Sequence, residues 1–308
     1  MDSVRRLILA FLFVLLTAAG VEAACVGGGA AWTCDATSSH LDIQAAMDAA
    51  DGSVVTTTPG TYVNFTGNLN FRVSKGSTVI CSSPPNCIWN EGSSPFATME
   101  SYPDGTVSTK LYRISGWTMN QVDNGWPVVY WNFNGGSDSR GGTFTQFRFD
   151  HNTVNAGAST TYIALKGIGN PAHGSYLYGS IDQNTFSNTK DVCPPTGNGP
   201  APGIWLFGAT DFNPVASTSG TISNMYVEDN VFSWSVSCSG GNGVIDMWGG
   251  SSVVGRFNTV TGATFFQTHG VTHSGGPQNI EALGNLTQQT ASSGYPDGHW
   301  SFHNQGSG

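Results

Sequence analysis

Four ionisable residues stand at the same place relative to a recurring asparagine. Asp150 lies two residues before Asn152, Asp182 before Asn184, Glu228 before Asn230 and Arg256 before Asn258. If the segments that carry them stack as parallel strands, equivalent side chains sit about 4.8 Å apart. Three carboxylates at that spacing repel one another unless a cation bridges them. Asp150, Asp182 and Glu228 are therefore candidate oxygen ligands for Ca²⁺. The competing reading is a solvated acidic face closed by an Arg256–Glu228 ion pair. His269 and His273 also invite a metal reading, but four residues along a strand separate them by about 13 Å, too far for one ion. The phase of the repeat turns His269 inward, as a hydrogen-bonded core residue, and His151 and His303 fall in turns. No GxSxG motif occurs, so a serine hydrolase built on that elbow is unsupported.

The elements that must position these groups are short and repeated. Alternating residues lead into an asparagine, followed by one residue and usually an apolar one, as in Phe147-Arg-Phe-Asp-His-Asn152-Thr-Val154. The pattern returns at Asn184 and Asn230, and more loosely at Asn258, Asn285 and Asn304. A second strand-like segment precedes each of the first five asparagines, at 126–133, 161–167, 203–209, 242–249 and 265–271. Each unit reads strand, turn, strand, Asn, short strand, with Gly and Ser at the breaks. Such a unit cannot bury its apolar face alone, so neighbours must stack into a solenoid. The repeated asparagine then forms an inward ladder, its amide bonding to turn backbone and to the next asparagine.

Composition agrees. Asp, Glu, Lys and Arg together make up only 10% of the 308 residues, with 41 Gly and nine Trp, against about 25% charged in an ordinary domain. Coiled coils and helical bundles are excluded, and disorder is excluded by 39% hydrophobic residues. Net charge −9 and pI near 5.0 argue against a nucleic-acid partner. Arg5 and Arg6, an apolar run from Leu7 to Leu16 and Val21-Glu22-Ala23 read as a signal peptide over 1–23. The apolar run is shorter than the about 20 residues a bilayer needs, so the mature protein is expected to be secreted, with no membrane contact. The signal carries two acids and two bases, so its removal leaves the net charge unchanged. An even count of six cysteines in an exported chain favours disulfides: Cys25–Cys34, Cys81–Cys87 and Cys193–Cys238. Cys193 and Cys238 follow Asn184 and Asn230 at nearly equal distance, which places them at nearly equivalent points of adjacent rungs.

The repeat resembles the right-handed parallel β-helix of the pectate-lyase-like superfamily. The N-terminus carries the likeness too: Leu41-Asp-Ile-Gln-Ala-Ala-Met-Asp-Ala-Ala50, then Asp51-Gly-Ser-Val-Val, then Pro59-Gly-Thr-Tyr62. The resemblance implies an all-β solenoid filling 24–308 as one domain, opened by a capping helix within about 40–62. It is specific for fold and weak for activity, because that fold hosts lyases, hydrolases, esterases, epimerases, tailspikes and adhesins. The repeat runs to Asn304, close to Gly308, and leaves nothing to cover the last rung. The expectation is either a fragment or self-association of a partner copy through that uncapped end.

In the superfamily, sugar-binding clefts run along the first sheet, which here corresponds to the strands preceding each Asn-bearing strand. If Ile163, Leu165, Ile245 and Met247 face inward, then Lys166, Asp246 and Trp248 face outward, with Tyr130 two rungs from Asp246. Tyr130 and Trp248 would stack on sugar rings. Lys166 is the candidate base for abstracting the proton α to a uronate carboxyl, and Asp246 the candidate acid or cation ligand. Arg256 completes the catalytic candidates, because calcium-dependent members use clustered Asp with Arg or Lys. A hydrolase would need a second carboxylate opposite Asp246, for which Asp211, in the loop after 203–209, is the candidate. The expected function is therefore an exported polysaccharide lyase acting on a uronate-containing polymer. The alternative is a non-catalytic β-helix, an adhesin or carbohydrate-binding module.

Overall fold

The computed structural model describes residues 25–288, apart from 73, 93, 100–101, 104–106, 122–126, 133–139, 142, 157–164, 169–175, 189–202, 208–223, 235–242, 249–251 and 270–278. The signal segment, Asp211, Cys193, Cys238, His273, His303 and Asn304 lie outside the described residues.

Three long sheets run the length of the molecule. A ten-stranded sheet carries the strands that end just before each asparagine, an eight-stranded sheet those just after it, and a seven-stranded sheet the strands that start each unit. Apart from the opening hairpin Cys25–Gly28 and Ala31–Cys34, every pairing within these three sheets is parallel. The chain is a parallel β-helix, as the repeat predicts. Its interior is a stack of like residues: Phe186 lies on Phe232 with centroids 4.9 Å apart and planes 7° from parallel. Gly255 takes the inward place one strand beyond Val227, because an added Cβ there would meet the rings of Phe265 and Phe266.

The N-terminal helix, α1 (His40–Asp48), follows from its sequence. Ser39 and Asp42 form a reciprocal capping box, and Ile43, Ala46 and Met47 are buried. The Gln44 amide accepts from the Asn70 N–H at 2.6 Å and donates to the Asn70 carbonyl at 3.1 Å. A side chain thereby supplies hydrogen bonds that a preceding strand would otherwise give. Cys25–Cys34 and Cys81–Cys87 are disulfides, as expected.

The corner at each asparagine explains the repeat. Asn152, Asn184, Asn230, Asn258 and Asn285 form one continuous ladder. Asn152 N–H and Nδ2 both donate to Asn184 Oδ1, at 2.9 and 3.1 Å, and the next three steps repeat this within 2.8–3.0 Å. Each Nδ2 also donates to a carbonyl of the preceding strand, as Asn184 does to Phe149 at 2.8 Å. The residue before each asparagine must turn left-handed. Gly284 does so freely, as does Gly116 ahead of Trp117 at the equivalent corner, whereas His151, Gln183, Asp229 and Phe257 adopt φ of 52–57° with a side chain present. Substituting Gln183→Gly removes that Cβ strain and is expected to stabilise the protein by about 0.5–1 kcal/mol. Urea midpoints of the variant and the parent check it.

Candidate functional site

On the outer face of the ten-stranded sheet the alternation presents two parallel rows. One is Ser115, Asp150, Asp182, Glu228, Arg256; the other, two residues upstream, is Arg113, Arg148, Ser180, Tyr226. The expected alignment of the three carboxylates is therefore present. What lies between them is not a vacancy for calcium. Arg113 Nε and Nη2 clamp Asp150 at 2.8 and 2.6 Å, and Arg148 bridges Asp150 at 3.4 Å and Asp182 at 2.9 Å. Arg256 holds Glu228 at 2.6 and 2.5 Å. Three guanidiniums thus answer three carboxylates, and the Arg256–Glu228 pair is the one the sequence suggested. The expected Ca²⁺ ligands Asp150, Asp182 and Glu228 each accept from an arginine in this arrangement, which leaves them a poor cation set. Among the described residues no group of three or more His, Cys, Asp or Glu is placed to hold a metal ion.

Asp150 is the most constrained of these groups. It is fully buried, and it also accepts from the Ser115 hydroxyl at 3.0 Å and lies 2.7 Å from His151 Nδ1. Burial alone would push its carboxyl up. The hydrogen bonds from Arg113 and His151, with the charges of Arg113 and Arg148, outweigh burial and hold it below the usual carboxylate range. The same contact raises Arg113 above its ordinary value, chiefly through the hydrogen bond to Asp150. Arg113 escaped sequence reasoning because its rung has Gly116-Trp117 where the others have X-Asn. Reading four residues before each asparagine, instead of two, would have exposed the Arg148, Ser180, Tyr226 row.

The second candidate surface is the seven-stranded sheet. Tyr130, Lys166, Trp205 and Asp246 pair in register as one row across four successive strands. Tyr130 is thus three strands from Asp246, not two. Ile204, Ile245 and Met247 are fully buried, whereas Ile163 and the Leu165 side chain lie outside the described residues. Asp246 departs from expectation: it is only 3% exposed, and every residue from Gly243 to Met247 is buried. Alternation decides from which side of a strand a side chain leaves, not what covers that side. The backbones of Lys166 and Trp248 lie in strands of this sheet, with Trp248 opposite His269; their side chains lie outside what the structure describes. Arg256, grouped with Lys166 and Asp246 from sequence, stands on a different sheet. The three do not form one constellation.

No protein-family model and no curated protein sequence matches the chain. Among solved structures, a PL6 family polysaccharide lyase from Pseudopedobacter saltans is similar to it at 10% identity and a TM-score of 0.27, covering 83% of this chain. The chain spans 62% of the length of that lyase. The fold is read from the chain's own strand pairing: it is a parallel β-helix with an internal asparagine ladder.

Proposed function

We propose that this is an exported carbohydrate-active protein of the pectate-lyase-like type, cleaving a uronate-containing polysaccharide laid along the seven-stranded sheet. The observation that carries the reading is the in-register row Tyr130, Lys166, Trp205, Asp246, which places aromatic, basic, aromatic and acidic residues at successive strand spacings. A polymer running along the solenoid would pass the half-buried Tyr130 and Trp205 in sequence, with Asp246 buried at the end of the row. Lys166 as base would take the proton α to the carboxyl; the leaving glycosidic oxygen departs as the double bond forms and then acquires a proton. Two disulfides accord with an oxidising, extracellular setting. No helix among the described residues is long and apolar enough to cross a membrane.

A second reading, a glycan-binding module without turnover, is favoured by a specific observation. Asp150, Asp182 and Glu228 of the ten-stranded sheet are each held by an arginine, and Arg256 is separated from Lys166 and Asp246 by a sheet boundary. The deciding experiment offers purified protein a panel of uronate polymers, with calcium present or chelated, and follows ultraviolet absorbance of the unsaturated product. Turnover on one polymer that falls about a hundredfold or more in Lys166→Ala supports the lyase. Binding without absorbance change on any polymer establishes the second reading.

A further inference from the structure

The ten-stranded sheet carries a groove that the proposed polysaccharide track does not use. Its cavity of about 400 Å³ is lined by Gln146, Arg148, Gly179, Ser180, Tyr226 and Arg256, among others. An irregularity of register creates it. Phe144 pairs with Leu177 and Phe147 with Gly179, so Thr145 and Gln146 together oppose the single residue 178. This bulge interrupts the row of outward side chains, as bulges beside binding sites commonly do. Gly179 is required there, because an added Cβ would lie 1.9 Å from the Phe147 carbonyl oxygen.

The walls are Arg148 and Tyr226, with the small Ser180 on the strand between them. Two strand spacings separate those walls by about 9.6 Å at the backbone. The Arg148 guanidinium leans toward the middle strand to reach Asp182, so the space beside Tyr226 is narrower than the backbone gap and holds at most one ring layer, which needs about 7–8 Å between two planar groups. Tyr226 is braced from beyond: the Arg256 guanidinium lies 5.2 Å from its ring centroid and is itself fixed by Glu228. The Ser180 hydroxyl donates to Asp182 at 2.8 Å, which leaves its lone pairs as acceptors. Arg148 spends Nη2 on Asp182 and keeps further N–H donors. The face therefore offers stacking, donors and acceptors at once. Its charges cancel: Arg113, Arg148 and Arg256 stand against Asp150, Asp182 and Glu228. An anion gains little from such a surface, whereas a hydroxylated, uncharged ring satisfies every group.

We infer that this groove is a second carbohydrate site, which takes a neutral pyranose unit between Tyr226 and Arg148 over Ser180. It is independent of Lys166 and of turnover. The test titrates the protein calorimetrically with neutral hexaoses of glucan, mannan, xylan and galactan type, and with hexagalacturonate. One neutral hexaose is expected to bind with little dependence on ionic strength. Tyr226→Ala, which removes a wall, and Ser180→Leu, which fills the gap, should each weaken it at least tenfold. Lys166→Ala should leave it unchanged. Circular dichroism and thermal midpoints confirm that each variant is folded. Preference for hexagalacturonate with loss in salt, failure of all neutral hexaoses to bind, or unchanged binding in both groove variants overturns the assignment.

Discussion

Replacing Asn184 by alanine is expected to lower stability by about 3–5 kcal/mol, far more than removal of a surface amide. Asn184 is 1% exposed and sits in the middle of the ladder. Its Oδ1 is the acceptor for both Asn152 N–H and Asn152 Nδ2, and its Nδ2 satisfies the Phe149 carbonyl. Alanine removes the side-chain partner of the buried Asn152 N–H and Phe149 carbonyl and leaves Asn152 Nδ2 with the Ile114 carbonyl alone, at about 1–3 kcal/mol for each unsatisfied group. The control is Asn155→Ala, whose amide belongs to a partly exposed ladder with Asn120 and Asn90 on the outer face. There water replaces the lost bonds, and the expected cost is below about 1 kcal/mol. Urea titrations compare the first unfolding transition, since a stacked array need not unfold in one step. Equal shifts for the two variants would refute the ladder as the main polar support of the coil.

The second large effect concerns Asp150. Removing one partner of a buried ion pair costs about 3–5 kcal/mol; because Arg113 and Arg148 retain 30% and 41% side-chain exposure, the Asp150→Asn variant is expected to lose about 2–3 kcal/mol at neutral pH. The pH dependence follows from the direction of the shift. The folded carboxyl lies below its unfolded value of about 3.9. Its contribution is therefore complete above that value and is lost as pH falls through the depressed folded one. The parent should destabilise on acidification by more than the variant, which lacks this proton-linked group. The two stability curves should converge in acid. Parallel curves from neutral pH to the acid limb would show that Asp150 is not clamped as described.

The repeat was legible because it is a backbone requirement written in side chains. A left-handed corner needs one residue to turn, and an amide must then satisfy the groups that the corner exposes, so Asn152, Asn184, Asn230, Asn258 and Asn285 mark the coil directly. Alternation before each asparagine likewise puts Phe147 and Phe149 on one side of the strand, in the core, and Asp150 on the other. It gave the three-carboxylate row correctly, but not the arginines between them. Arg113 belongs to a rung whose asparagine is replaced by Trp117, so no motif announced it. Arg148 and Tyr226 sit on the same face as the carboxylates, one pleat upstream, and only pairing of the strands makes them neighbours.

What the sequence by itself determined is the local geometry: which residues form strands, where each corner falls, the helix capped by Ser39 and Asp42, and the disulfides Cys25–Cys34 and Cys81–Cys87. What only the tertiary structure decided is which charges meet. Carboxylates that look like a calcium ladder along the chain become guanidinium-bound once adjacent strands bring Arg113 and Arg148 within hydrogen-bond distance. Asp246, outward by alternation, is buried, and Arg256 parts from Lys166 because consecutive strands of a coil belong to different sheets. The physical reason is range. Backbone corners and pleats are set by a few consecutive residues, whereas the partner of a side chain is chosen by stacking between rungs some 30 residues apart, as from Arg113 to Asp150 with a separation of 37.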